Sequence, residues 1–248
     1  MFISNSRQFI FIHLHKCAGT SIEVALSRTL AWNDLLLGST VQGERLQKIY
    51  EPMFGMYKHS TAARVREVIG AELWDRYYSF STVRNPFAVA VSQYRFSLHH
   101  MADGLRRIAR QRAAGETGPI RLPVKEWPWS YPGVKALMSI RRAQTSFSEF
   151  IRSPHLKDWN GFTPMRPQLC SPEGELLVDE VVRIEEIGHR WPEVCARLGV
   201  GELALGRDNA SRGERKDFRE YYRDQADVEL VRDTFAGDFE SFGYPDAP

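Results

Sequence analysis

The sixteen residues from Phe11 to Leu26, "FIHLHKCAGTSIEVAL", pass from an apolar run through a lysine, a cysteine and a glycine into helical periodicity. Upstream the run reaches back to Phe9, and "FIFIHL" (9–14) has the pattern of a strand buried on both faces of a parallel sheet. Beyond Gly19, "TSIE" has the hydroxyl-to-glutamate spacing of a capping box, and Ile22, Ala25, Leu26 and Leu30 then recur at helical spacing. The stretch predicts strand, tight loop, helix. Such a junction aims backbone N–H groups and the positive end of a helix dipole at one point, which favours a bound anion. Lys16, Thr20 and Ser21 add a point charge and two hydroxyl donors to that cradle.

Further along, the same pattern returns. "YYSFSTV" (77–83) reads as a strand, "RNP" turns the chain, and Pro86 occupies the first position of a helix whose inner face carries Phe87, Ala90, Val91 and Tyr94. Between the two units, "STAARVREVIG" (60–70) predicts a shorter helix opened by Ser60 or Thr61 and closed near Gly70. "ELLVDEVVRIEEI" (175–187) predicts a late strand leading into a helix, and "QADVELVRDTF" (225–235) a helix near the C-terminus. Alternating strands and helices of this kind predict an α/β fold of three layers, a parallel sheet with helices on both faces. With 248 residues and no low-complexity linker, the expectation is one domain over 1–248.

Composition bounds the function without naming it. Hydrophobic residues at 43% and charged residues at 26% are those of an ordinary globular chain. A net charge of +2 argues against a globally basic nucleic-acid binder. No apolar stretch is long enough to span a bilayer, and the N-terminus lacks the basic region, apolar segment and cleavage site of a secretory leader, so the expectation is a cytoplasmic protein. Cys17, Cys170 and Cys195 form no C-x-x-C pair, which suggests neither a disulfide framework nor a zinc site. Charge is uneven, however: residues 99–142 hold nine Lys or Arg against three acids. The region 99–145, which includes "EWPWSYPG", reads as an insertion or lid on the substrate side. Its arginines could face an anionic acceptor while Trp127, Trp129 or Tyr131 stacks on a sugar ring. Equally, the arginines fit a solvated helix face and the aromatics a small core beneath a loop.

The identity of the anion can be narrowed. A Walker loop, G-x-x-x-x-G-K-[ST], places its lysine directly after a glycine, whereas Lys16 here precedes Gly19 by three and has no glycine before it. A cysteine phosphatase needs an arginine six residues after its nucleophile, and that position is Glu23. Cys17 therefore reads as a small loop residue. "IHLHKCAGTSI" resembles instead the 5′-phosphosulfate loop, H-x-P-K-x-[AG]-G-T-[ST], of sulfotransferases that use 3′-phosphoadenosine 5′-phosphosulfate (PAPS). "VRNPFAVAVSQY" (83–94) resembles the same family's 3′-phosphate motif, and the two occur in the family's order. "KHSTAARVREVIG" (58–70), "RPQ" (166–168), "RIEEI" (183–187) and "DFESFGY" (238–244) are similar to segments of its carbohydrate and membrane-associated branch, sulfotransferase family 2. His15 and Cys17 depart from the loop pattern, standing where the family usually has proline and often has threonine.

This resemblance implies a P-loop nucleotide-kinase-like sulfotransferase fold and transfer of a sulfuryl group from PAPS to a hydroxyl of a carbohydrate or glycolipid, including anionic ones. It implies nucleotide contacts from Lys16, Cys17, Ala18, Gly19, Thr20 and Ser21 at the 5′ end and from Arg84 and Ser92 at the 3′-phosphate. Arg212 and Gly213 fall in the loop that covers the nucleotide in related enzymes. Lys16 would neutralise the leaving phosphate, with no metal required. His59 is the candidate base by the same resemblance, and its place before a helix start disfavours the imidazolium form. Glu185 is a weaker base candidate. Two other readings stay open: a nucleotide-dependent kinase of related fold, and a catalytically silent protein that binds anionic glycans.

Overall fold

Short runs of large apolar residues build the sheet in this computed structural model, which describes residues 1–115, 134–135, 146–156, 162–206 and 216–248. Strands β1 (Phe2–Ser4), β2 (Phe9–Ile12), β3 (Leu35–Leu36), β4 (Tyr78–Val83) and β5 (Glu180–Arg183) lie in the order β3-β1-β2-β4-β5. β2 pairs with β4 in parallel, from Phe9 opposite Tyr78 to Ile12 opposite Ser81, and β4 pairs with β5 in the same sense. β1 runs antiparallel to both β2 and β3, so the expected all-parallel sheet is corrected to a mixed one. The cause is the connection between β1 and β2: residues 5–8 form a tight turn ending in a left-handed Gln8 (φ 56°), and so short a link can only return antiparallel.

The chain divides into two compact units, the first comprising Met1–Asn85, Pro164–Ala210 and Gly237–Tyr244. Its helices are α1 (Gly19–Leu26), α2 (Val41–Phe54), α3 (Ala62–Ile69), α4 (Ala71–Arg76), α7 (Arg166–Leu169), α8 (Ile187–Leu198) and all but the first residue of α10 (Ala236–Phe242). Because side chains alternate along a strand, Phe2, Phe9, Phe11, Phe80 and Val182 share one face. There they pack with Ile22, Ala25 and Leu26 of α1 and Trp191, Val194 and Leu198 of α8. Phe11 and Phe80 stand 4.9 Å apart on adjacent strands, and burying each contributes about 2–3 kcal/mol. On the opposite face Ile3, Ile10, Ile12, Ser79, Ser81 and Val83 are buried as well. Ser81 is tolerated there because its hydroxyl donates to the Ile12 carbonyl at 2.7 Å.

The second unit comprises Pro86–Thr163, Ser211–Ala236 and Pro245–Pro248. Its described helices include α5 (Pro86–Ala113), α6 (Phe147–Ile151) and α9 (Gln225–Thr234). As expected, Pro86 opens α5, and the basic piece after His99 continues it to Ala113. Apart from 114–115 and 134–135, the remainder of the 99–145 region, including Trp127, Trp129 and Tyr131, lies outside the described residues. An aromatic cluster joins α5 and α6 to the short segment that precedes α9. Phe147 lies 5.7 Å from Tyr94 and 5.0 Å from Tyr222, whose hydroxyl donates to the Phe87 carbonyl at 2.9 Å. Arg152 on the α6 end clamps Asp224 and the buried Asp227 at the start of α9. Among the described residues no helix is long and apolar enough to cross a membrane.

Candidate functional site

Between the end of β2 at Ile12 and the start of α1 at Gly19 the backbone turns twice through the left-handed region, at Lys16 (φ 63°) and Ala18 (φ 60°). Neither residue is glycine, so each costs on the order of 1 kcal/mol and persists only where neighbours fix it. Those neighbours come from four segments distant in sequence. Thr82 at the end of β4 donates its hydroxyl to the Cys17 carbonyl at 2.7 Å, and Arg84 donates to the Lys16 carbonyl at 3.4 Å. The Cys17 thiol points inward, 3.5 Å from the Met165 sulfur. Met165 and Arg166 in turn donate their N–H groups to Asp238 at 2.8 and 2.7 Å. Glu185 fixes the turn after β4, accepting from the Asn85 N–H at 2.9 Å and from the Tyr244 hydroxyl at 2.8 Å. Glu185 is thus a structural anchor with both oxygens engaged: "RIEEI" and "DFESFGY" brace the turn after β4, while Asp238 of "DFESFGY" holds the backbone that seats Met165 against Cys17.

Gly19 is dictated by close approach. A Cβ at this position would lie 2.2 Å from Cδ2 of the buried His13 ring. We expect Gly19→Ala to cost about 1–3 kcal/mol, read as a lower urea midpoint, because the ring is walled in and cannot retreat. An unchanged midpoint would contradict the packing.

The helix start differs from the capping box expected at Thr20. α1 is capped by Ala18, which offers no side-chain oxygen, and Glu23 turns into the core instead of back to the helix end. Long-range charge overrides the local motif: Glu23 pairs with the Met1 amine and accepts from the Ser39 hydroxyl, and its Oε1 lies 2.9 Å from Nδ1 of His13. The His13 contact is too poorly aligned for a hydrogen bond. Burial alone would raise the Glu23 carboxyl, but His13 and the Met1 amine hold it at about 2. One consequence is local. Among the described residues no acceptor is found for the backbone N–H groups of Cys17, Ala18, Gly19 and Thr20, which stand at the positive end of α1.

Three cations stand in or beside this loop. Lys16 belongs to the loop, Arg84 reaches its carbonyl, and Lys58 brings Nζ to 3.3 Å from Thr20 Oγ1. Burial, followed by repulsion from Arg84 and Lys58, pulls the Lys16 ammonium down to about 8. Arg84 and Lys58 lie close enough to oppose the Lys16 charge, an arrangement that a bound anion would relieve. Cys17 has the reverse character: burial pushes its thiol up to about 12, so it supplies no thiolate.

Beside the loop stands a group of three imidazoles. His59 Nδ1 lies 2.9 Å from the His13 carbonyl, which can only accept, so Nδ1 carries the proton and Nε2 the lone pair. His15 stacks on the His59 ring at 3.5 Å and 24°, and His13 meets it edge-on at 4.6 Å. Burial, then the proximity of His13 and His15, holds His59 well below the ordinary histidine range, in the neutral form a base requires. Among the described residues no group of three or more His, Cys, Asp or Glu is arranged to hold a metal ion.

The first unit therefore brings together Lys16, Cys17, Ala18, Gly19, Thr20, Ser21, Arg84 and His59. Ser92 sits half-buried on α5 in the second unit, and Arg212 and Gly213 lie outside the described residues. Lys58 is the contributor the sequence reading missed; its signal was a lysine directly preceding the candidate base. An open groove of about 530 Å³ at the β5 edge, lined by Asp179, Glu180, Arg190, Glu193 and Arg197, is no rival, since Arg190 and Arg197 already neutralise Glu180.

A model described as the sulfotransferase family matches residues 1–245. No curated protein and no solved structure matches.

Proposed function

As the chain belongs to the sulfotransferase family, we propose that it transfers the sulfuryl group of PAPS to a hydroxyl of a carbohydrate or glycolipid acceptor. The observation that carries this reading is a loop with open backbone amides that bears Lys16, is contacted by Lys58 at Thr20 and by Arg84 at the Lys16 carbonyl, and stands beside a neutral histidine whose Nδ1 is engaged by the His13 carbonyl. The amides of residues 17–20 and the Lys16 ammonium hold the 5′-phosphosulfate. His59 Nε2 takes the proton of the acceptor hydroxyl as its oxygen bonds to sulfur. The bond from sulfur to the 5′-phosphate oxygen breaks, and its electron pair stays on that oxygen, neutralised by Lys16. Arg84 is assigned the 3′-phosphate from the sequence motif it shares with Ser92. The assignments of Ser92, Arg212 and Gly213 to the nucleotide rest on sequence motifs, as does the three-layer, phosphate-loop-like character of the fold.

A panel of glycans, glycolipids and small alcohols incubated with ³⁵S-labelled PAPS tests this directly. Labelled product on a carbohydrate or glycolipid supports it. Label on the small alcohols alone would remove the acceptor class, and label on nothing would remove the activity.

A further inference from the structure

His15 occupies the one loop position where both a backbone role and a side-chain role can be separated. The sulfotransferase loop that this stretch resembles carries proline there, whose use is stiffness; here stiffness is supplied by the Thr82, Arg84 and Met165 contacts described above. The imidazole is thus released for another purpose, and it lies flat on His59 with ring centroids 3.5 Å apart and planes 24° from parallel. The hydrogen bond from His59 Nδ1 to the His13 carbonyl fixes one edge of the ring but leaves it able to tilt about that bond. A stacked plane removes the tilt. We propose that His15 is a positioning residue that holds the face of His59 so that Nε2 points at the acceptor hydroxyl. The proposal rests on the reading of His59 as the base.

The environment supports the assignment. The groups facing His59 are His13 edge-on at 4.6 Å, His15 in the stack, Tyr57 at 6.4 Å and the neighbouring Lys58. Among these His15 alone presents its ring face-on. Burial, then His13 and Lys16, brings His15 itself down to about 3, so both rings of the stack are neutral throughout the working range and neither repels the other. A phenyl ring would reproduce the plane without the nitrogens.

Three variants of the full chain test this: His15→Ala, His15→Pro and His15→Phe. Each is assayed for kcat and for affinity towards 3′-phosphoadenosine 5′-phosphate, and the His59 ring is followed through pH by NMR of ¹³C-histidine-labelled protein. We expect Ala and Pro to lower kcat about ten- to a hundredfold, the usual scale for a misaligned reacting group, with nucleotide affinity held within about twofold. Phe restores most of kcat. In the Ala variant His59 titrates closer to pH 6.5, since removing His15 opens its face to water, whereas in the Phe variant it stays low. Unchanged kcat in the Ala and Pro variants overturns the proposal, as does an equal loss in all three accompanied by lost nucleotide affinity, which would make His15 a loop residue only. Failure of wild-type protein to transfer sulfate to any acceptor overturns the reading of the site itself, an outcome distinct from both.

Discussion

Replacing Lys16 with methionine is expected to lower kcat/KM for sulfate transfer by about 10²–10³-fold, the cost of removing one preorganised charge from a developing oxyanion. Methionine keeps much of the side chain's length, so the left-handed backbone at this position and its Arg84 contact are preserved. The charge also predicts a pH profile. Burial, Arg84 and Lys58 hold the free-enzyme ammonium at about 8. Because the cation is the active form, and a lowered lysine loses its proton as pH rises, kcat/KM should fall through about pH 8. Bound nucleotide is anionic and favours the ammonium, so the matching limb in kcat lies at higher pH. Lys16→Arg, charged at every accessible pH, abolishes the limb while keeping part of the rate. A kcat/KM that stays level to pH 10 in wild-type protein would show that Lys16 does not face the leaving group.

His59→Ala should lower kcat by about 10²–10⁴-fold while leaving nucleotide affinity nearly unchanged, as expected when a general base is lost from a site whose anion cradle is intact. In wild-type protein the acid limb of kcat should lie well below pH 6.5, since His59 is depressed by burial and by its two imidazole neighbours. The sign follows from the role: a base works only when deprotonated, and a lowered imidazole stays deprotonated further into acid. Retained turnover in the variant would take His59 out of the reaction and leave proton removal to another group.

The parts of this arrangement that were legible in the sequence are those encoded locally. An uninterrupted apolar run made β2, Pro86 after "RN" opened α5, and the Gly19 turn separated strand from helix. Local signals failed wherever a distant group decided the outcome. "TSIE" has the form of a capping box, yet Glu23 is drawn away by the Met1 amine, His13 and Ser39, none of which is near it in sequence. The antiparallel β1 was hidden because a three-residue strand carries too little periodicity to register. His59 stood out through its sequence segment, but its stack with His15 joins residues 44 positions apart and has no sequence signature. Lys58 was overlooked because a lone lysine is ordinarily a solvated one; its approach to Thr20 is what gives it a place beside the loop. Asp238 was recognisable only as part of a C-terminal signature, and the structure gives the physical reason for it: two backbone N–H groups of the α7 start converge on its carboxylate and seat Met165 against Cys17.

The central claim is that the β2–α1 loop and Arg84 together hold a nucleotide carrying a 5′-phosphosulfate and a 3′-phosphate. Titration calorimetry of the wild-type protein with 3′-phosphoadenosine 5′-phosphate and with 5′-AMP, both without magnesium, tests it most directly. The account predicts at least about a hundredfold preference for the 3′-phosphorylated nucleotide, equivalent to about 2.7 kcal/mol, and loss of that preference in Arg84→Ala. Equal binding of the two nucleotides, or binding of neither, would contradict it.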